Sequence, residues 1–286
     1  MTRVLILGAT GMLGNAMLRY LGSRDGIIAA GTVRSDRAAA ALPKVVRDRL
    51  LTGVDAADTD SLLMASAAFR PDVIINCMGL VKQLAAAGDP LAALPMNAML
   101  PHRLRLIASA AGARLIHIST DCVFTGKKGD YVEADAPDAI DLYGRSKLLG
   151  EVVGHHDAIT LRTSIIGREL ASANGLVDWF LAQQGPVKGF AKAVFSGVPT
   201  VELARVIYEY VLPNAALHGL YHVAAAPIAK LDLLRLVAAA FSHQIDIRPD
   251  EQLVIDRSLN AARFNAATGY VPPPWPQLIE AMRDFG

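Results

Sequence analysis

The sequence predicts an α/β fold: a doubly wound parallel sheet followed by a smaller C-terminal lobe. Three observations carry this expectation. Short apolar runs alternate with stretches of helical spacing through the first half of the chain, a glycine-spaced loop follows the first of those runs and opens a helix, and the regular alternation lapses past about residue 165.

The runs Val4 to Leu7, Ile27 to Val33, Val73 to Ile75 and Leu115 to Ile118 are short and rich in Val and Ile, and they read as buried strands. Helical stretches between them imply right-handed crossovers. A helix is expected over Asp58 to Phe69. Pro90 to Ala111 carries Leu94, Ala98, Leu104, Ile107 and Ala108 at helical spacing, but Pro95 and Pro101 predict that its first part is broken into a loop or short turns. Further on, helices are expected over Val201 to Leu212 and Leu231 to Phe241, and Tyr270 to Pro276 reads as an extended or turn segment. The organisation expected is a nucleotide-binding domain over 1–165 and a mainly substrate-binding lobe over 166–286, packed on it with no low-complexity linker.

Composition narrows the function classes. With 286 residues, 52% hydrophobic and 19% charged, the chain can bury a sizeable core and is not of the disordered class. A net charge of +1 without a long basic run leaves no electrostatic footprint for nucleic acid or an anionic membrane. Two cysteines, Cys77 and Cys122, cannot frame a disulfide scaffold, so a reduced, cytoplasmic setting is expected. The apolar start breaks at Gly8 without a cleavage signal, and no segment reaches the ~20 apolar residues of a membrane span. No metal is expected.

Gly8-Ala9-Thr10-Gly11-Met12-Leu13-Gly14 lies directly between a strand and a helix. This spacing lets the backbone turn tightly and bring N–H groups against a pyrophosphate at a helix N-terminus, the signature of a Rossmann-type dinucleotide site. Gly8, Thr10, Gly11, Met12, Leu13 and Gly14 are therefore candidate cofactor contacts. The second strand ends at Arg34-Ser35, followed by Asp36 and Arg37. A guanidinium suits a ribose 2′-phosphate, which favours NADPH; NADH stands as the alternative, with Asp36 on the ribose. Asp55 is a candidate for hydrogen bonding the adenine or, equally, an N-cap for the following helix. Cys77, Met78 and Gly79 end a strand where small residues let a cofactor approach.

Ser119-Thr120-Asp121 sits just past a strand, at the sheet edge where such folds bind ligands, and Tyr143 and Lys147 follow at i and i+4. On one helix face an ammonium would lower the pKa of a phenol, which could then protonate a carbonyl oxygen as hydride reaches its carbon. Thr120 could hold the same oxygen. The competing reading is a surface tyrosine with a lysine paired to Glu151.

Taken in order, these residues resemble the extended short-chain dehydrogenase/reductases, and most closely the dTDP-4-dehydrorhamnose reductase family. The matches are Gly8 to Gly14, Asn97, Ile118 to Asp121, Val123-Phe124, Tyr143-Gly144, Ser146-Lys147-Leu148, Gly150-Glu151, Leu161 to Ser164 and Gly197 to Thr200. The resemblance implies NADPH-dependent reduction of the 4-keto group of a nucleotide-linked 6-deoxy sugar, for polysaccharide precursors. It makes Thr120, Tyr143 and Lys147 catalytic and puts Lys147 on the nicotinamide ribose, with Cys77, Met78 and Gly79 lining the cofactor. The chain departs from that family at Cys122, where a tyrosine is usual, and at Ile165, often a tryptophan. Both positions are implied to face the sugar, and losing two aromatic walls suggests a differently substituted sugar, such as an acetamido one. Lys82, in the unusual stretch Leu80-Val81-Lys82-Gln83, is a further candidate for a phosphate or sugar hydroxyl. Cys122 in place of a second acid removes the proton shuttle of a dehydratase. An epimerase remains open, as does a non-catalytic NADP-binding regulatory subunit; homodimerisation is compatible with each.

Overall fold

The computed structural model describes residues 1–82, 84–170 and 173–286. In the first part, strands β1 (Thr2–Leu7), β2 (Ile27–Thr32), β3 (Leu50–Leu51), β4 (Val73–Asn76), β5 (Arg114–Thr120) and β6 (Ala158–Thr163) alternate with helices α1 (Met12–Gly22), α2 (Asp36–Ala40), α3 (Lys44–Arg47), α4 (Thr59–Phe69), α5 (Pro90–Ala93), α6 (Leu100–Ala110) and α7 (Leu142–Leu149). The second part holds β7 (Ile165–Ile166), α8 (Leu176–Leu181), β8 (Val187–Phe190), β9 (Ala193–Phe195), β10 (Val198–Pro199), α9 (Thr200–Val206), β11 (Gly219–His222) and β12 (Ile228–Ala229). It continues through α10 (Lys230–Ala240), β13 (Ile247–Asp250), β14 (Ile255–Asp256), α11 (Ala262–Thr268) and α12 (Trp275–Phe285).

The main sheet has seven strands in the order β11-β6-β5-β4-β1-β2-β3, and every neighbouring pair is parallel. This is the doubly wound sheet that the alternation predicts. From β1 the chain builds outward to β3, then returns and builds the other way from β4. Crossovers diverge at that reversal and leave a crevice outside the carboxyl ends of β1 and β4. The second part of the chain re-enters the sheet, because β11 pairs with β6 at its edge.

Both faces of the sheet are covered, which is why its strands read as continuous apolar runs. Side chains alternate along a strand. Val4 and Ile6 therefore pack with Met17 and Leu21 of α1, Leu203 of α9 and Leu278 of α12, whereas Leu5 and Leu7 pack with Leu62 and Phe69 of α4 and Leu104 of α6.

Two expectations are corrected. The prolines do not break the stretch from Pro90 to Ala110, which is helical throughout. Asp89 caps its start through Leu91 N at 2.9 Å, a π-turn spans Leu94–Met99, and Pro101 lies in the first turn of α6. In the wider π-turn the Leu100 N–H reaches back to Pro95 O, so the helix continues past both rings although each proline removes a backbone donor. Near the end of the chain the extended segment stops at Pro274, and Trp275 begins α12 with Pro276 in the first turn, where no intrahelical N–H is needed. The helices expected over Asp58 to Phe69, Val201 to Leu212 and Leu231 to Phe241 are found as α4, as α9 running on into a second π-turn over Ile207–Val211, and as α10, whereas α2, α3, α8 and α11 are not among those expected. No helix among the described residues is long and apolar enough to cross a membrane.

Candidate active site

The glycine loop has two kinds of glycine. Gly8 has φ 84°, in the left-handed region, and a Cβ on it would lie 2.8 Å from Met78 Cγ; a Cβ on Gly14 would lie 2.1 Å from Gly8 O. These two are dictated by the fold itself. Gly11 would meet only Gly8 O, at 3.4 Å. It is exposed and stands as the N-cap of α1 with no side-chain cap on the helix. The first-turn N–H groups of Met12, Leu13 and Gly14 are left to face outward, which fits a pyrophosphate. Leu13 is itself a core side chain, so its contribution there would come from the main chain. Thr10 is exposed at the loop's tip and Met12 is half-buried behind it.

Arg34 is exposed just past β2, and Arg37 is exposed on α2. The Ser35 hydroxyl accepts from Ala38 N at 3.3 Å and so caps α2. Asp55, half-buried, accepts from Ala57 N at 2.9 Å. The N-cap role weighed for it belongs to Asp58, whose carboxylate accepts from Asp60 N. After β4, Met78 N donates to Asn76 Oδ1 at 3.0 Å. Burial pushes the Cys77 thiol up to about 12 against the pull of the Lys147 charge, so it stays protonated. Gly79 is exposed, and a Cβ on it would lie 4.0 Å from Lys147 Nζ. The candidate cofactor strip after β4 thus runs directly to the candidate catalytic lysine. Lys82 is exposed and pairs with Asp141 Oδ2 at 2.7 Å; Gln83 lies outside the described residues.

Thr120 closes β5, and Tyr143 and Lys147 project from α7. Asp141 caps that helix by accepting from Gly144 N at 2.7 Å. Asn97 ties it to the cofactor strip: its Oδ1 accepts from Leu80 N at 2.8 Å, and its Nδ2 donates to Leu80 O at 3.1 Å and to Ser146 Oγ at 3.2 Å. Pro101 has no N–H to give Asn97 O. That carbonyl instead faces Gly150 at the end of α7, where a Cβ would come within 1.9 Å. The π-turn that holds Asn97 thus packs directly against the helix that carries Tyr143 and Lys147.

Lys147 is buried, and its amine donates to Ile118 O at 2.8 Å. Burial lowers its pKa to about 8, with Glu151 and Cys77 opposing. Glu151 is not paired with the lysine; it takes Arg162 through two 2.7 Å contacts and accepts from Ser119 Oγ at 2.7 Å. The expectation that Lys147 makes the Tyr143 phenol acidic is corrected here. Burial pushes that phenol up, the Cys122 thiol adds to the rise and Thr120 pulls the other way, while Lys147 is not among its main influences. One donor of the amine goes to Ile118 O on β5. The phenol stays protonated at neutral pH, as a proton donor must.

Cys122 follows Thr120 in a short 3-10 turn, and its thiol is pushed up to about 12 by burial and by Asp121. Asp121 is buried, accepts from Thr120 Oγ1 at 3.1 Å, and is raised by burial against the charge of Arg257. Ile165 is half-buried in β7, paired with Val198. Sequence reasoning missed Arg257. It arrives on the loop after β14, donates from Nε to Phe124 O at 2.9 Å, and places Nη1 3.6 Å from Cys122 Sγ. No motif marks it; only the folding of the second part onto the 122–131 loop, through the Tyr131–Leu259 bridge, brings it here.

Comparison with known proteins agrees with this architecture. A family model described as the RmlD substrate binding domain matches residues 1–277. The chain is 30% identical over 254 residues to the methionine adenosyltransferase 2 subunit beta of Danio rerio, covering 84% of this chain and 74% of that protein. It is 29% identical to a probable low-salt glycan biosynthesis reductase of Haloferax volcanii, covering 77% and 73%. Its fold matches the crystal structure of a dTDP-4-dehydrorhamnose reductase from Bacillus anthracis in complex with NADP, with a TM-score of 0.80, 21% identity and 99% of each chain covered. The chain belongs to the RmlD substrate binding domain family.

Proposed function

We propose that this protein is an NADPH-dependent reductase of the 4-keto group of a nucleotide-linked 6-deoxy sugar. The observation that carries the reading is a protonated Tyr143 beside Thr120 at the sheet's carboxyl edge, with the Lys147 amine close to Gly79. Similarity to a glycan biosynthesis reductase and to a dTDP-4-dehydrorhamnose reductase fold supports the substrate class. The loop Gly8 to Gly14, Arg34, Ser35, Asp55, and Cys77 to Gly79 would hold NADPH, which supplies hydride when bound. The substrate would lie between the sheet edge and the lobe after residue 165. Tyr143 gives its proton to the ketone oxygen as negative charge builds there. The Thr120 hydroxyl, which donates to Asp121 Oδ1 in the free protein, would turn its one proton to that oxygen and fix its orientation. Lys147, held by Ile118 O, orients the nicotinamide ribose.

A second reading, a non-catalytic NADP-binding subunit, draws on the similarity to a methionine adenosyltransferase subunit. Loss of NADPH absorbance with a panel of 4-keto-6-deoxy sugar nucleotides separates the two. Turnover of at least one of them is expected. NADPH binding without turnover of any would favour the subunit.

A further inference from the structure

Arg257 is a cation with unfinished business. Its Nε is spent on Phe124 O and its Nη1 on Cys122 Sγ, and among the described residues no carboxylate lies within ion-pair distance of it. Nη2 forms no hydrogen bond among the described residues. The group is locked from two sides by the loop that follows Thr120, so its free donors are held in place before any ligand arrives.

Its position limits what it can meet. Cys122 is the titratable neighbour that acts most strongly on the Tyr143 phenol, and Arg257 touches that thiol. Gly144, next to Tyr143, packs on the Cys122 carbonyl, so the guanidinium and the phenol flank the same residue. In a 4-keto pyranose the diphosphate leaves from C1, the ring carbon farthest from C4, so it is not the first group at this wall. The flank carrying C5 and its methyl is apolar and would gain nothing from a guanidinium. The polar flank, C2 and C3, is what remains. A guanidinium offers donors only, so its match on that flank is an acceptor, and an acyl oxygen accepts more strongly than a hydroxyl.

We infer that Arg257 is a specificity-determining residue that selects a sugar bearing an N-acyl group on the C2–C3 edge, donating through Nη2 to the acyl oxygen. This rests on the reductase reading above for the ring's orientation, and deepens it by naming the substituent.

Three 4-keto-6-deoxy sugars on one common nucleotide test it: 2-acetamido, 3-acetamido and 2,3-dihydroxy. Wild type is expected to prefer one acetamido substrate in kcat/KM. Arg257→Ala should lower that value by about tenfold or more, the size expected for one charge-assisted hydrogen bond, and should leave the dihydroxy substrate within about threefold. Arg257→Lys, which keeps the charge but loses the fork, should also lose the preference, and it serves where the alanine variant is unstable by thermal melting. An equal loss on all three would mean that Arg257 reads the shared diphosphate, and would overturn the inference. Calorimetric binding of the matching 4-hydroxy nucleotide sugars separates this from a failure of the reductase reading. Selective binding that Arg257→Ala abolishes sustains the inference even where nothing is turned over; binding with no acetamido preference in wild type refutes it.

Discussion

Gly144 and Cys122 meet at a distance that only glycine permits: a Cβ on Gly144 would lie 2.2 Å from the Cys122 carbonyl oxygen. The helix carrying Tyr143 can therefore close onto the loop carrying Thr120. The neighbour is backbone, which cannot swing aside. Gly144→Ala is expected to push α7 away from β5, at a cost of about 1–3 kcal/mol seen as a lower melting temperature. The larger effect should be on kcat, since Tyr143 would no longer reach the oxygen that Thr120 holds. A variant with wild-type kcat would show that this contact does not set the site's geometry.

The glycine loop predicts a split between folding and binding. Gly14→Ala drives a methyl into Gly8 O and should lower both stability and NADPH affinity. Gly11→Val has room in the fold, with its nearest contact at 3.4 Å, so its melting temperature should stay close to wild type. Its side chain would still stand where the pyrophosphate must approach α1. Calorimetry should therefore find NADPH binding lost in a well-folded protein. Tight binding by Gly11→Val would move the cofactor elsewhere.

Cofactor preference is expected to follow Arg34. Arg34→Asp removes a charge-assisted contact to the 2′-phosphate, worth roughly 1.5–3 kcal/mol, and offers the ribose of NADH a carboxylate. The ratio of NADPH to NADH affinity should fall by about tenfold or more. If the ratio does not move, Arg37, exposed one turn along, becomes the residue to test.

The outline of this site was legible because its parts are local. Gly8 to Gly14 announces a turn by spacing alone, and Tyr143 and Lys147 share a helix face by counting to four. What was not legible depends on distant partners. Pro95 and Pro101 argue for a broken helix until the π-turn and the packing of Gly150 against Asn97 are seen. Lys147 was expected to act on its helical neighbour, yet its amine is drawn to Ile118 O on another element. The Glu151–Arg162 pair and the arrival of Arg257 beside Cys122 are also tertiary contacts, between residues that no periodicity links.

Lys147 should give the protein a measurable pH dependence. Burial lowers its pKa from 10.5 to about 8. Between those values the unfolded chain holds a proton that the folded chain has released, so this residue makes stability rise with pH across that window. Below about pH 8 the cost of burying the ammonium is felt in full. Cofactor affinity should run the other way, because the ammonium is a stronger, charge-assisted donor to a ribose hydroxyl than the neutral amine and also attracts the anionic cofactor. Fluorescence titrations with NADPH should show affinity declining as pH passes about 8. Lys147→Met should bind weakly without that inflection, and its melting temperature at neutral pH should not fall. An inflection that survives in Lys147→Met would assign it to another group.

In the proposed reaction Tyr143 would supply the proton, and its surroundings define what its removal should do. Negative charge that builds on a ketone oxygen during hydride arrival has to be met by a proton within hydrogen-bond reach. The phenol is protonated at neutral pH in any case; burial raises its pKa further, and the Thr120 hydroxyl moderates that shift without reversing it. Tyr143→Phe keeps the ring in its half-buried place beside Cys122 and deletes only the hydroxyl, so packing and melting temperature should change little. General acid catalysis contributes about 10²–10⁴-fold, and kcat on a 4-keto sugar nucleotide should fall by that much. NADPH affinity should stay within about threefold of wild type, because the proposed ribose contact is made by Lys147 and not by the phenol. Thr120→Val should cost less than Tyr143→Phe, since it removes an orienting hydrogen bond and leaves the acid in place. The double variant should then be little worse than Tyr143→Phe alone, as Thr120 acts on an oxygen that no longer receives a proton. Turnover by Tyr143→Phe at the wild-type rate would rule out this mechanism, whatever the substrate proves to be.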